Sequence, residues 1–200
     1  MLLALVACGG SEDEPERVAD EGGLATYEVE SFGFSIGVPS EWTTVSADEA
    51  FSEETLDSIR EADPELGPLL DQIGEADSPI KLIAIDPAPD DGFAANLNVV
   101  VIPEIPEGTT REDYFDASAA QLEGFGATGV EQERVELPAG EAVSFRYEHS
   151  RGGVDQPLAV LQYVLFENEI GYTLTYTSLA AAVESHREEF ERSALSFRLA

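Results

Sequence analysis

Cations are scarce in this sequence. Lys81 is the only lysine and nine arginines accompany it, against 41 aspartates and glutamates, for a formal net charge of -31 over 200 residues. Such a chain repels DNA, RNA and anionic lipid headgroups wherever electrostatics reach, which excludes nucleic acid as a partner. Cysteine occurs once, at Cys8, so no internal disulfide is possible. Histidine occurs twice, at His149 and His186, with no HExxH pattern and no Cys/His cluster to hold zinc. No GxSxG motif marks a nucleophilic serine, and no glycine-rich loop precedes a helix to cradle phosphate. Paired carboxylates are plentiful, but among 41 acids their proximity in sequence carries little information. These absences lead to the expectation that the chain is not an enzyme and uses no cofactor.

What the sequence does contain is strands. From Glu141 to Ser178 three strand-like runs follow one another with little between them. In the first, Val143, Phe145 and Tyr147 alternate with Ser144, Arg146 and Glu148, the period of two expected of a strand with one face buried. In the second, Leu158, Val160, Val164 and Phe166 point one way and Ala159, Leu161, Tyr163 and Leu165 the other, so both faces should be covered and the strand should lie inside a sheet. The third sets Ile170, Tyr172, Leu174 and Tyr176 opposite Thr173, Thr175 and Thr177. Together they predict an antiparallel meander. Further strands are expected in Tyr27 to Val38, as one strand or a tight pair turning near Ser31 to Gly33, and in Lys81 to Ile85, Leu97 to Ile102 and Thr128 to Leu137, the last mostly polar and therefore an edge. Trp42 reads as a packing residue, and Asn96 and Asn98 as side chains satisfying backbone groups at a sheet edge.

Helices are expected at three places. Ser46 with Glu49 forms a capping-box pattern ahead of short helical turns that run to Gly74, interrupted at Pro64 and at Gly67-Pro68. Thr110 with Asp113 opens a helix with Phe115, Ala119 and Leu122 on one stripe, and Leu179 to Ala194 places Val183, His186, Phe190 and Ala194 on another. His186 is therefore read as a packed, hydrogen-bonded histidine, and His149, in a loop beside Ser150 and Arg151, as the histidine with a functional alternative. The loop between two strands, Asp86-Pro-Ala-Pro-Asp90-Asp91-Gly92, carries three carboxylates. Asp86, Asp90 and Asp91 are the candidate ligands for a hard cation such as calcium, although the spacing is not that of an EF-hand and Asp-Pro and Asp-Gly are ordinary turn chemistry.

The N-terminus points to location. Met1 to Ala7 is apolar and Leu5-Val6-Ala7-Cys8 resembles the lipobox of bacterial lipoproteins. That resemblance implies that Cys8 is lipidated and becomes the first residue of the mature protein, with 1–7 a truncated signal segment that lacks a basic n-region. Residues 8–23 hold six acids and only Val18 as a sizeable apolar side chain, which predicts a flexible tether, and a single domain is expected over 24–200.

Phe32-Gly33-Phe34-Ser35-Ile36 through Pro39 to Trp42, the run Leu97-Asn98-Val99-Val100-Val101, the stretch from Gln162-Tyr163 to Tyr172-Thr173-Leu174-Thr175, and a closing helix ending in Ser196-Phe197 together resemble the PsbP-like proteins, among them DcrB and the LpqN-type lipoproteins of actinobacteria. The resemblance implies an α/β (α+β) sandwich: a central, mainly antiparallel twisted sheet with helices packed on its faces. It transfers no catalytic residue, because the family offers no catalytic motif to match. The expected protein is a lipid-anchored, extracytoplasmic binding or adaptor module with an envelope protein as partner, touching the membrane only through Cys8. The alternative is an envelope protein that binds a small ligand or calcium through Asp86, Asp90 and Asp91. A hydrolase built on His149 is the third reading.

Overall fold

The computed structural model describes residues 23–46, 78–151 and 154–200. Cys8, the tether before Gly23 and the helical turns expected beyond Ser46 lie outside these residues. Among the described residues are ten strands and two α-helices. The strands are β1 Leu24–Val29, β2 Phe34–Pro39, β3 Thr43–Ser46, β4 Ile80–Ile85, β5 Asn96–Ile102, β6 Thr128–Leu137, β7 Gly140–His149, β8 Leu158–Glu167, β9 Ile170–Leu179 and β10 Arg198–Leu199. The helices are α1 Arg111–Gly124 and α2 Val183–Ser196. Seven strands form one sheet in the order β3-β4-β5-β9-β8-β7-β6, and β1-β2-β10 form a second. Every pairing is antiparallel.

The predicted meander forms in full as β7, β8 and β9, and β8 has the two-sided character its sequence requires. Leu161, Tyr163 and Leu165 enter the main core, which they share with Tyr27, Ile36 and Val38 of the small sheet and Phe190 and Ala194 of α2. Val164 and Phe166 face the other way, onto Phe115 and Leu122 of α1. The large sheet is thus sandwiched between α1 on one face and, on the other, α2 with the three-stranded sheet. Burying both faces of a central sheet removes far more apolar area from water than a one-sided sheet, at about 25 cal/mol per Å².

The N-terminal hairpin turns at Glu30–Phe32, with Gly33 taking the left-handed φ of +64 that ends the turn. Its second strand is completed from the far end of the chain. Leu199 pairs with Phe34 and Arg198 with Ser35. Beyond that pairing the edge of β2 is closed by α2. The Gly37 N–H donates to Ser196 Oγ at 2.6 Å, and Ser193 Oγ donates to the Gly37 carbonyl at 2.5 Å. Tyr176 in turn donates its hydroxyl to Ser193 Oγ at 3.0 Å. Two helix serines thus do for a buried strand edge what another strand would otherwise do.

The remaining sequence expectations divide. Trp42 is buried, edge-on to Phe190 at 6.2 Å between ring centroids. Thr110 caps α1 reciprocally with Asp113, whose carboxylate accepts from the Thr110 hydroxyl and is held below the usual carboxylate range by that bond. β6 is an edge strand among the described residues. Asn96 and Asn98 are not at an edge, however, since β5 lies between β4 and β9; buried Asn96 donates to the Ala94 carbonyl at 3.1 Å. Ser46 is the buried last residue of β3, a strand whose β-branched Thr43, Thr44 and Val45 were its only local signal. The last helix begins at Val183 instead of Leu179, because Leu179 still pairs with Leu158 in the sheet.

Candidate functional site

Between α2 and strands β6, β7 and β8 lies a cleft of about 260 Å³. Its apolar lining comes from Ala159 and Leu161 of β8 and from Val183 and Phe190 of α2. Its charged lining comes from Glu131 of β6, Arg146 and Glu148 of β7, and Arg187 and Glu191 of α2. The alternation of β7 explains why these groups meet here: Arg146 and Glu148 project to the α2 side, while Val143 and Phe145 belong to the core under α1.

The charges are unevenly satisfied. Arg187 donates through Nε to Glu184 at 3.1 Å and through its second nitrogen to the same carboxylate, a bidentate pair that raises its pKa. Among the described residues Arg146 has distant partners, Glu133 at 3.8 Å and Glu191 at 3.9 Å, both beyond hydrogen-bond length. Beneath them burial pushes the Tyr163 hydroxyl up to about 12, with the Glu191 charge adding to the effect. The arrangement offers an apolar floor and a charged mouth in which acids outnumber cations, suited to an elongated group with an apolar stem and a polar or cationic end.

The three carboxylates of the 86–92 loop take three separate roles. Asp86 Oδ1 accepts from the Ala88 N–H at 2.8 Å, a local turn. Asp90 forms a two-way backbone bridge with Phe93, and its Oδ2 lies 3.0 Å from His186 Nε2. Asp91, at a left-handed φ of +44, accepts from Gln156 at 3.4 Å. Among the described residues no group of three or more His, Cys, Asp or Glu side chains is gathered where it could hold a metal ion. Asp90 and His186 therefore meet as a clasp between loop and helix, 96 residues apart in sequence. His186 is packed as its stripe predicts, stacked on Phe190 at 5.5 Å with an interplanar angle of 11°. His149, the last residue of β7, pairs in register with Leu158 and stands outside the cleft.

Sequence reasoning did not single out Arg146, Glu191 or Leu161 as a site. The available signal was weak: Arg146 is one of only ten cations and falls on the polar phase of an alternating strand.

No family model matches the chain, and no curated protein does so significantly. Solved structures do. The chain is similar to the solution structure of cyanobacterial PsbP (CyanoP) from Synechocystis, with a TM-score of 0.54 and 17% identity over 98% of this chain and 99% of that one. It is also similar to LpqN from Mycobacterium tuberculosis, described as involved in cell envelope biogenesis, with a TM-score of 0.52 and 10% identity over 84% of this chain and 83% of that one. Two antiparallel sheets, helices on both faces of the larger one, and these likenesses establish a PsbP-like fold.

Proposed function

We propose that this chain is a binding module of the cell envelope, without catalytic activity, held at the outer face of the membrane through lipidated Cys8 and working by engaging another envelope protein. The observation that carries the reading is the cleft between α2 and β6 to β8. It combines an apolar floor with unevenly paired charges, as binding sites do, and among the described residues no serine, cysteine or histidine lines it. The lipobox-like Leu5-Val6-Ala7-Cys8 and the acidic stretch that follows support an anchored, tethered domain. LpqN, similar in fold, is a protein of cell envelope biogenesis, which agrees with an envelope setting. The calcium alternative is weaker, because Asp86, Asp90 and Asp91 each bind a different protein group.

The test is gentle crosslinking of the tagged protein in its own cells, followed by identification of what is joined to it. The expected result is one stoichiometric envelope protein, with a Cys8→Ser variant released from the membrane and depleted of that partner. A protein recovered alone under conditions that crosslink known envelope pairs would rule the adaptor role out.

A further inference from the structure

The seven-stranded sheet ends on β6, ten residues long, and among the described residues no strand pairs with its outer edge. Thr128 to Arg134 are all exposed. A bare edge of this length is a template for another strand, and the charges of Glu131, Glu133, Arg134 and Glu136, one of the ways folded proteins guard such edges, restrict it to a segment of complementary charge. The one irregularity of β6 lies at its start, where the register to β7 shifts between Thr128 and Glu131 and Gly129 takes a φ of +64. From Glu131 to Leu137 the register is unbroken. Leu137 and Gly140 pair across a two-residue turn, so alternation turns the N–H and C=O groups of Gln132, Arg134 and Glu136 away from β7.

The side chains beside this edge are acidic. Glu131 lines the cleft, Glu133 reaches toward Arg146 in it, and Glu148 and Glu191 line it further in. The cation on the strand itself, Arg134, is held by Glu112 and Glu141 and lies over the Phe115 ring. The cleft thus opens onto the bare edge, and around it Glu131, Glu133, Glu148 and Glu191 outnumber Arg146 and Arg187.

Resting on the binding-module reading, we infer that β6 is a docking edge for a basic, extended segment of a partner protein. That segment adds a strand to the sheet and lays the stem of one lysine or arginine on Ala159 and Val183, the half-buried apolar part of the lining, with its cation among Glu131, Glu148 and Glu191. Main-chain hydrogen bonds supply the attachment, and alternate side chains supply specificity, one set facing the cleft and the other facing the α1 side. A second copy of this chain is the wrong occupant. Two β6 edges would crowd Glu131 and Glu133 of both copies together on bodies that each carry -31.

The test uses the purified full chain and two end-blocked peptides of about eight residues, a typical strand length. One alternates lysine with valine and threonine; the other has glutamate at each lysine. The lysine peptide is expected to shift the amide resonances of Gln132, Arg134 and Glu136 and slow their exchange, and the glutamate peptide to do neither. Reversing two close charges, Glu131→Lys with Glu133→Lys, should weaken binding at least about tenfold. Gln132→Pro removes one outward N–H and should abolish the edge protection; should that variant fail to fold, the charge reversal decides. Binding of the lysine peptide without protection of those three amides, equal binding by the reversed variant, or no binding at millimolar peptide would overturn the inference. A cellular crosslink that maps away from β6 would end this inference and leave the binding-module reading intact. Edge protection by the lysine peptide with no partner in cells would support the edge and end that reading.

Discussion

Gly171 shows how much a single side chain can decide. It lies in β9 opposite Phe166, and a Cβ placed there would overlap the hydroxyl and ring of Tyr114, with Cε1 at 3.1 Å. Tyr114 has little room to yield, since it stacks on Phe166 at 5.2 Å and bonds to Thr173, while burial raises its hydroxyl pKa. Gly171→Ala should therefore destabilise the fold by about 1–3 kcal/mol, the usual range for overpacking. The same change made in a Tyr114→Ala background should cost close to nothing, because the truncated side chain leaves room for the methyl. Equilibrium denaturation of the four proteins in this cycle is the check, and an equal cost in both backgrounds would show that the glycine serves the backbone and not the tyrosine. Nothing in Glu169-Ile170-Gly171-Tyr172 distinguishes this glycine from an ordinary turn glycine. The constraint comes from α1, more than 50 residues away, and is invisible without the fold.

At the scale of elements, local signals were legible and long-range ones were not. Thr110 and Asp113 specify the start of α1 within four residues, so the cap could be read directly and is present. The same holds for the two faces of β8, written in a period of two. The clamp of Ser193 and Ser196 on Gly37 spans 156 and 159 residues and has no local trace. Nor does the network in which Arg111 bonds to Glu141 and Glu167 while Arg134 bonds to Glu141 and Glu112, tying α1 to β6, β7 and β8. Helix α2 also carries a cost. Burial raises the Glu189 pKa, and the Glu41 and Asp86 charges push it further, against His186 and Arg192. A carboxyl whose folded pKa is raised contributes stability below its unfolded pKa and loses it as pH rises through the folded value. Ionised Glu189 is thus unfavourable near neutrality. Glu189→Gln, which keeps the shape without the charge, should raise Tm at about pH 7 and leave it unchanged at about pH 3, below the ordinary carboxyl range. A lower Tm at neutral pH would mean that the contact with His186 Nδ1 at 3.9 Å outweighs the burial.

For the molecule as a whole, charge is the dominant legible property, and its effect on stability follows from its sum. The sheet order was only partly legible: the meander could be read, but not that β10 would close the N-terminal hairpin into a second sheet, because a two-residue strand has no period to read. The charge needs no fold to be counted. With 41 acids and ten cations, most carboxylates have no cation to pair with, and compaction brings them closer together than in the unfolded chain. The surface ion pairs oppose this only weakly, at about 0–1 kcal/mol each, and they too fade as salt is added. Self-repulsion should therefore prevail, and screening it should stabilise the fold. Raising sodium chloride from about 0.01 M to about 0.1 M shortens the screening length from about 30 Å to about 10 Å, so most of the gain should fall in that interval. Tm should climb by several degrees, each kcal/mol being worth about 2–4 °C in a chain of this size. Tm followed by circular dichroism across that range tests the sign. A fall in Tm on adding salt would show that the Arg111 and Arg134 network contributes more to stability than the excess of 31 negative charges removes.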